Sequence, residues 1–358
     1  MALLFLDGFE EYDTTSSTTF TNELLAVQAQ QGVAYNYTSL NTLNGSITQT
    51  RTAQTGISAK SMIITASVLG VSVPNVTTLH IGFGGFFNSL NNWICGFCRD
   101  PAHSYLGNPT NGMRVYLDTA GTISIRNNNT AAVIATSSST LSINTWYYIE
   151  IKYVFGSGTA GSCQIKVDGV DYINSTSIDT AGTAALINSF YFQSTNPATN
   201  YYDDFYICDT TGATNNTFLG PISVYTLVPT ANSATVEMTA SAGLNFACVD
   251  DIPPNITDYV TGTAANQIDL YAMSDLPVGV TPTTIPGVLL KAKSSKPTAN
   301  TGQIQMAARY SAVSSFSTSR SVTQTSYIGN CSIMETQPDG SAWVKAAIDG
   351  IEAGIKVV

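Results

Sequence analysis

Between Leu141 and Tyr172 the chain spells out an antiparallel pair of strands. Tyr148, Glu150 and Lys152 fall on one side of an extended segment, and Ile149, Ile151 and Tyr153 fall on the other. That two-residue period marks a strand with one face in a core. A Gly156-Ser-Gly158 loop follows, then Cys163–Val167 alternates again and closes on Asp168-Gly169. Asp-Gly supplies the two positive φ angles of a type I′ turn, so Val170–Ile173 returns as the hairpin partner.

The same grammar runs through most of the chain. Turn signals recur at Asn44-Gly45, Gly84-Gly85, Asn111-Gly112, Ala120-Gly121 and Asn127–Asn129, with short runs such as Met113–Leu117, Thr122–Ile125 and Ala132–Ile134 between them. Several short strands at this spacing predict a sandwich or barrel. Only 11% of the 358 residues are charged, against 44% hydrophobic. Thr, Ser, Asn and Gly take up the difference, a mixture that suits sheets with neutral polar faces.

Fourteen basic residues against twenty-four acidic ones give a net charge of -10. Phosphate binding needs clustered Lys and Arg, so nucleic acid is not an expected ligand. The opening Met1–Leu6 has no basic start and is too short for a signal-peptide core, so it reads as a strand. No apolar run approaches the ~20 residues of a membrane span. The six cysteines at 95, 98, 163, 208, 248 and 331 are too dilute for a disulfide scaffold. Cys95-Gly-Phe-Cys98 has knuckle spacing but no second pair, and reads as buried thiols.

Trp146, Tyr148, Ile149 and Ile151, followed by Ile165, Val167, Asp168 and Gly169, resemble the Trp-strand and Val-Asp-Gly hairpin of laminin-G and concanavalin-like jelly rolls. Phe9, in Asp7–Tyr12, resembles that family's opening strand, and Tyr201–Ile207 resembles its closing strand. The resemblance implies that these two segments pair. It covers about 1–221. Beyond Pro221, Ile222–Val228 reads as an outgoing strand, and prolines divide the rest of the chain into short pieces. Val288–Lys293 and Gln303–Tyr310 are placed to form a hairpin around Asn300–Gly302. Asp339–Ile348 reads as a short helix with Ser341 as N-cap and Gly350 and Gly354 at its exit. Gly354–Val358 adds a last strand.

The predicted fold is therefore all-β: a concanavalin-like jelly-roll sandwich over 1–221, then a smaller β-rich domain over 222–358 with one short C-terminal helix. The tail and the wording Cys208–Gly212 resemble the ends of tailed-bacteriophage virion proteins. What that resemblance implies is a structural component of the virion, in capsid decoration, tail or fibre. Such a component is assembled in the host cytoplasm and binds neighbouring virion subunits as a homo-oligomer, most plainly a trimer.

Glycoside hydrolases on this fold carry two glutamates and an aspartate on one strand. Glu11-Tyr-Asp13 offers two of those three residues and no second glutamate. With His80 and His103 the only histidines and no Gly-x-Ser-x-Gly elbow, no triad is expected either. The residues thus predict no catalytic set, no cofactor and a non-enzymatic chain. Two binding sites stay in view. Trp93, Tyr201 and Tyr202 are candidates for stacking on a host-surface glycan, which would make the chain a receptor-recognising lectin of a tail tip or fibre. Asp7, Glu10, Asp203 and Asp204 are candidates for a structural calcium, because the implied strand pairing brings them together.

Overall fold

The computed structural model describes residues 2–12, 37–39, 51, 60–98, 112–181, 186–195, 197–296, 302–322 and 327–358. The first fourteen strands are β1 (Leu3–Asp7), β2 (Tyr37–Ser39), β3 (Met62–Thr65), β4 (Val68–Val76), β5 (Thr78–Phe87), β6 (Asn92–Cys98) and β7 (Gly112–Leu117). They continue with β8 (Thr122–Asn127), β9 (Val133–Thr140), β10 (Trp146–Val154), β11 (Gly161–Val167), β12 (Val170–Ile178), β13 (Ile187–Gln193) and β14 (Thr199–Cys208).

They make two antiparallel sheets. One runs β1-β14-β5-β10-β11-β12, with β3 also on β14; the other runs β2-β4-β13-β6-β7-β8-β9. The two pack face to face as a jelly-roll sandwich, and the alternation read from the sequence decides which side chains meet. Ile81, Phe83, Ile149, Ile151, Ile165 and Phe205 from the first sheet share one core with Val71, Phe97, Val115, Ile125, Phe190 and Phe192 from the second. Phe97 stacks on Tyr153 across the gap with ring centroids 4.3 Å apart. Each such fully buried side chain contributes about 1.5–3 kcal/mol.

The hairpin turn forms as the sequence dictates, with Asp168 at φ 48° and Gly169 at φ 81°. β1 pairs antiparallel with β14, Phe5 opposite Ile207 and Asp7 opposite Phe205.

The chain then crosses the outer face of the first sheet. Ile222–Val228, expected as a strand, has no ladder partner among the described residues. Its backbone and that of the preceding residues are bound by buried side chains of the sheet instead. Leu219 N donates to Tyr206 Oη (3.1 Å), Gly220 N to Glu150 Oε1 (2.9 Å) and Val224 N to Asp204 Oδ1 (2.7 Å). Those acceptors replace a neighbouring strand, so the segment stays extended without joining a sheet. Gly82 makes the arrangement fit, since a Cβ there would stand 2.1 Å from the Tyr206 ring.

The remaining strands are β15 (Pro229–Val236), β16 (Thr239–Ala240), β17 (Val260–Thr261), β18 (Ile268–Met273), β19 (Val288–Ser294), β20 (Gly302–Tyr310), β21 (Val313–Phe316), β22 (Arg320–Val322), β23 (Ile328–Met334) and β24 (Glu352–Val357). The main C-terminal sheet runs β15-β18-β24-β20-β21, with β22 on β20, and β16–β17 and β19–β23 form separate pairs. Two expectations are corrected here. β19 does not pair with β20: Leu289 packs on the sandwich while its neighbour Leu290 enters the C-terminal core. A strand used on both faces takes its partner from β23, far along the chain. The helix is also shorter than predicted. It spans only Lys345–Asp349 (α1), preceded by an extended Val344. Trp343 is the reason, because it is buried, donates Nε1 to Met334 O (2.9 Å) and bridges to Ile285, which holds the preceding residues out of a helix.

Candidate functional site: an aromatic and arginine ladder on the second sheet

Alternation sends Val115 and Leu117 of β7 into the core and leaves Arg114 and Tyr116 on the outer face. β6 lies beside β7 with Trp93 opposite Tyr116 and Gly96 opposite Arg114, and β8 brings Arg126 opposite Arg114. The rings of Trp93 and Tyr116 meet edge to face at 4.5 Å. The Arg114 guanidinium lies 4.3 Å from the Trp93 ring centroid, and that of Arg126 lies 4.0 Å from Tyr116. Four side chains from three strands thus form one cation–π ladder, each step worth about 0.5–2 kcal/mol.

Hydrogen bonds fix the ladder at both ends. Tyr116 Oη donates to Asn91 Oδ1 (2.6 Å), and Arg126 pairs with Asp118. Arg114 Nη2 donates to the Asn128 carbonyl (2.7 Å), and Asn128 Oδ1 accepts from Tyr191 Oη (3.3 Å). Gly96 opens the lane that Tyr191 uses, because a Cβ there would stand 2.2 Å from its hydroxyl. Arg114, Tyr116, Tyr191 and Asn128 are buried, whereas Trp93 and Arg126 keep part of their surface in solvent and Asn91 is exposed. Burial pushes the Tyr191 hydroxyl well above its ordinary pKa and lowers that of Arg114. Tyr191 therefore stays a neutral donor.

The three aromatic residues singled out in the sequence do not form one site. Trp93 sits in the ladder. Tyr201 and Tyr202 are consecutive on β14 and point to opposite faces of the other sheet. Tyr201 packs against Phe86 at 5.4 Å on the outside. Tyr202 is fully buried and donates its hydroxyl to Ile94 O (2.6 Å), so it is a core residue and no sugar platform. The alternation of Met113–Leu117 already placed Arg114 and Tyr116 on one face. Their approach to Trp93 depends on strand order, which carries no local signal.

The four acids do come together, and all are buried. Asp7 accepts from Phe9 N (2.9 Å) and Tyr12 Oη (2.7 Å). Asp203 accepts from Arg51 N (2.9 Å) and Asp204 N (2.8 Å). Asp204 accepts from Arg51 Nη1 (2.6 Å) and Val224 N. Glu10 Oε2 has no hydrogen-bond partner among the described residues. Burial, with the charge of Asp203 next in weight, raises the Glu10 pKa to about 10, which leaves a neutral acid at physiological pH. Protein donors occupy both oxygens of each aspartate, and among the described residues no three His, Cys, Asp or Glu converge as metal ligands. This arrangement does not fit a calcium cage.

Cys95 faces the main core and Cys98 a small cluster with Val68 and Tyr191, so the two do not share a face as knuckle ligands would. All six cysteines are buried thiols. His80 stands opposite Lys152 under the ring of Phe218, and burial with the Lys152 charge pushes its pKa down to about 4. His103 and Asp13 lie outside the described residues. No helix among the described residues is long and apolar enough to cross a membrane.

No protein-family model matches the chain, and no curated protein matches it. Solved structures share the sandwich. One is alginate lyase Aly36B, a mutant in complex with an alginate trisaccharide (14% identity, TM-score 0.39, covering 57% of this chain and 97% of that one). Others are an endo-β-1,4-glucuronan lyase of Trichoderma reesei (14%, TM-score 0.36, 51% and 94%) and the carbohydrate-binding module CBM66 of Bacillus subtilis (14%, TM-score 0.32, 48% and 95%). These are likenesses of fold. They also correct one expectation: with polysaccharide lyases among the matching sandwiches, the reading of the chain as non-enzymatic is withdrawn.

Proposed function

We propose that the protein recognises a glycan on the outer face of the second sheet, with Trp93 as the stacking platform. The observation that carries this reading is a partly exposed Trp93 locked in place by Tyr116 and Arg114. A ring held rigid before binding loses little entropy on stacking against a pyranose. Asn91 turns its amide oxygen to Tyr116 Oη, which leaves its NH₂ for a sugar hydroxyl. Arg126 adds donors beside it.

The sequence resemblance supplies the setting, a tailed-phage virion in which such a surface serves receptor recognition at a tail or fibre, or decoration of a capsid. The chain there works as a homo-oligomer among other virion subunits. A glycan array probed with the full chain tests the binding. We expect a defined set of glycans to be retained, and Trp93→Ala to weaken that binding at least about tenfold. Retention that Trp93→Ala leaves unchanged, or no retained glycan at all, refutes the reading.

A further inference from the structure

The strands of the second sheet carry two charged side chains between them, Arg114 on β7 and Arg126 on β8. No Asp or Glu stands in any of these strands, although acids outnumber bases by 24 to 14 in the chain as a whole. The two arginines are direct cross-strand partners, so both side chains leave the sheet on the same outer face. Like charges placed opposite one another destabilise a sheet. The pairing is felt here, since burial lowers the Arg114 pKa and the charge of Arg126 lowers it further. A face whose strands bring their only charges together as one positive pair is complementary to an anion.

The chain relieves this pair only in part. Asp118, in the turn after β7, takes Nη2 of Arg126, and Ser124 Oγ takes its Nε (3.1 Å). Arg126 Nη1 donates to none of the described residues, and the side chain keeps 23% of its surface in solvent. Arg114 Nη2 goes to the Asn128 carbonyl, which carries no charge. Among the described residues one carboxylate, that of Asp118, is set against the two guanidinium groups. Tyr116 meets both the Trp93 ring and Arg126, so the stacking platform and the accessible cation stand one side chain apart. That is roughly the reach of a pyranose ring and the acidic group it bears. The planar fork of a guanidinium matches two oxygens of a carboxylate or sulfate.

Building on the glycan reading above, on which this inference rests, we propose that the glycan is acidic. Its pyranose ring stacks on Trp93, a carboxylate or sulfate on that sugar is held by Arg126, and the buried Arg114 adds its charge. A phosphate backbone is the poorer match, because two arginines make no basic track along the face.

The full chain is applied to an array with neutral, uronate-bearing and sulfated arms. Retention falls on the acidic arms, and the stronger of the two names the oxyanion. Binding of a retained acidic glycan, followed by calorimetry, weakens at least about threefold between about 0.05 M and about 0.5 M NaCl. Arg126→Gln weakens it at least about tenfold and reduces the salt dependence. Asp118→Asn keeps an acceptor for Arg126 without the charge, and tightens binding about two- to fivefold. A mere loosening of the ladder would not produce that gain. Thermal melts by circular dichroism confirm that both variants are folded. Neutral glycans retained through Trp93, with an affinity that salt and Arg126→Gln leave unchanged, overturn the acidic assignment while the platform stands. No retained glycan at all removes both. Unchanged or weaker binding in Asp118→Asn, or an oligothymidylate bound more tightly than any acidic glycan, also overturns the proposal.

Discussion

The ammonium of Lys291 lies 3.3 Å from Asp7 Oδ1, so a strand of the C-terminal part neutralises the end of the first strand of the sandwich. It reaches Glu11 as well, and passes 5.1 Å from the Tyr12 ring centroid. Asp7 is buried and Lys291 is only 26% exposed, so the attraction is less screened than at a surface. Lys291→Met keeps the stem and removes the charge. We expect it to destabilise the protein by about 1–3 kcal/mol in urea unfolding, because a buried carboxylate loses its cation. A change below a few tenths of a kcal/mol would refute a coupling role for this pair.

Glu10 gives stability a pH dependence of definite sign. Its pKa is 4.5 in an unperturbed chain and about 10 in the folded protein, so folding binds a proton between those values. Its stabilising contribution is complete below about pH 4.5 and declines as pH rises towards 10. The slope reaches up to about 1.4 kcal/mol per pH unit. Glu10→Gln retains the neutral shape and is expected to flatten that decline. Unfolding midpoints at pH 6 and pH 9 for the two proteins check it.

His80 acts at the other end of the scale. Its folded pKa lies at about 4, below the ordinary 6.5, because burial and the neighbouring Lys152 disfavour the imidazolium. Its contribution is complete above about pH 6.5 and is lost as pH falls through about 4. His80→Leu, which cannot be protonated, is expected to unfold at lower pH than the parent. An acid titration followed by tryptophan fluorescence would show the difference.

Core and site roles of the aromatic residues separate in one experiment. Tyr202→Phe leaves the Ile94 carbonyl without its buried hydroxyl donor, whereas Gln193 O keeps Asn200 Nδ2. It should cost about 1–3 kcal/mol of stability. Glycan binding at folded concentrations is expected to stay as it was. Trp93→Ala is expected to do the reverse, a loss of binding with a smaller loss of stability.

Gly96 offers a quieter probe of the ladder. An added Cβ meets Tyr191 Oη at 2.2 Å and Met113 O at 2.9 Å. Gly96→Ala therefore displaces Tyr191 from Asn128, and Arg114, bound to the same asparagine, loses its support. We expect glycan binding to fall without any change at Trp93 itself.

The sequence by itself determined the local grammar. A two-residue alternation commits Tyr148–Tyr153 to a strand, Asp168-Gly169 can close only a tight hairpin, and the sparse charge left hydroxyls and amides to face water. These features depend on residues a few positions apart, where sterics and burial act directly. The jelly-roll resemblance put the opening strand on Asp7–Tyr12 beside Tyr201–Ile207, whereas the strand that pairs there is Leu3–Asp7 and Phe9 sits in the turn after it. The tertiary structure decided the rest. It sent Tyr202 inward and Tyr201 outward, and it paired β19 with β23, with Leu289 against the sandwich and Leu290 in the C-terminal core. It gathered Trp93, Arg114, Tyr116 and Arg126 from three strands, and closed the three aspartates on donors from Phe9, Tyr12, Arg51 and Val224. Which strands lie side by side is set by the summed burial of a whole core, a non-local quantity that no window of the chain contains.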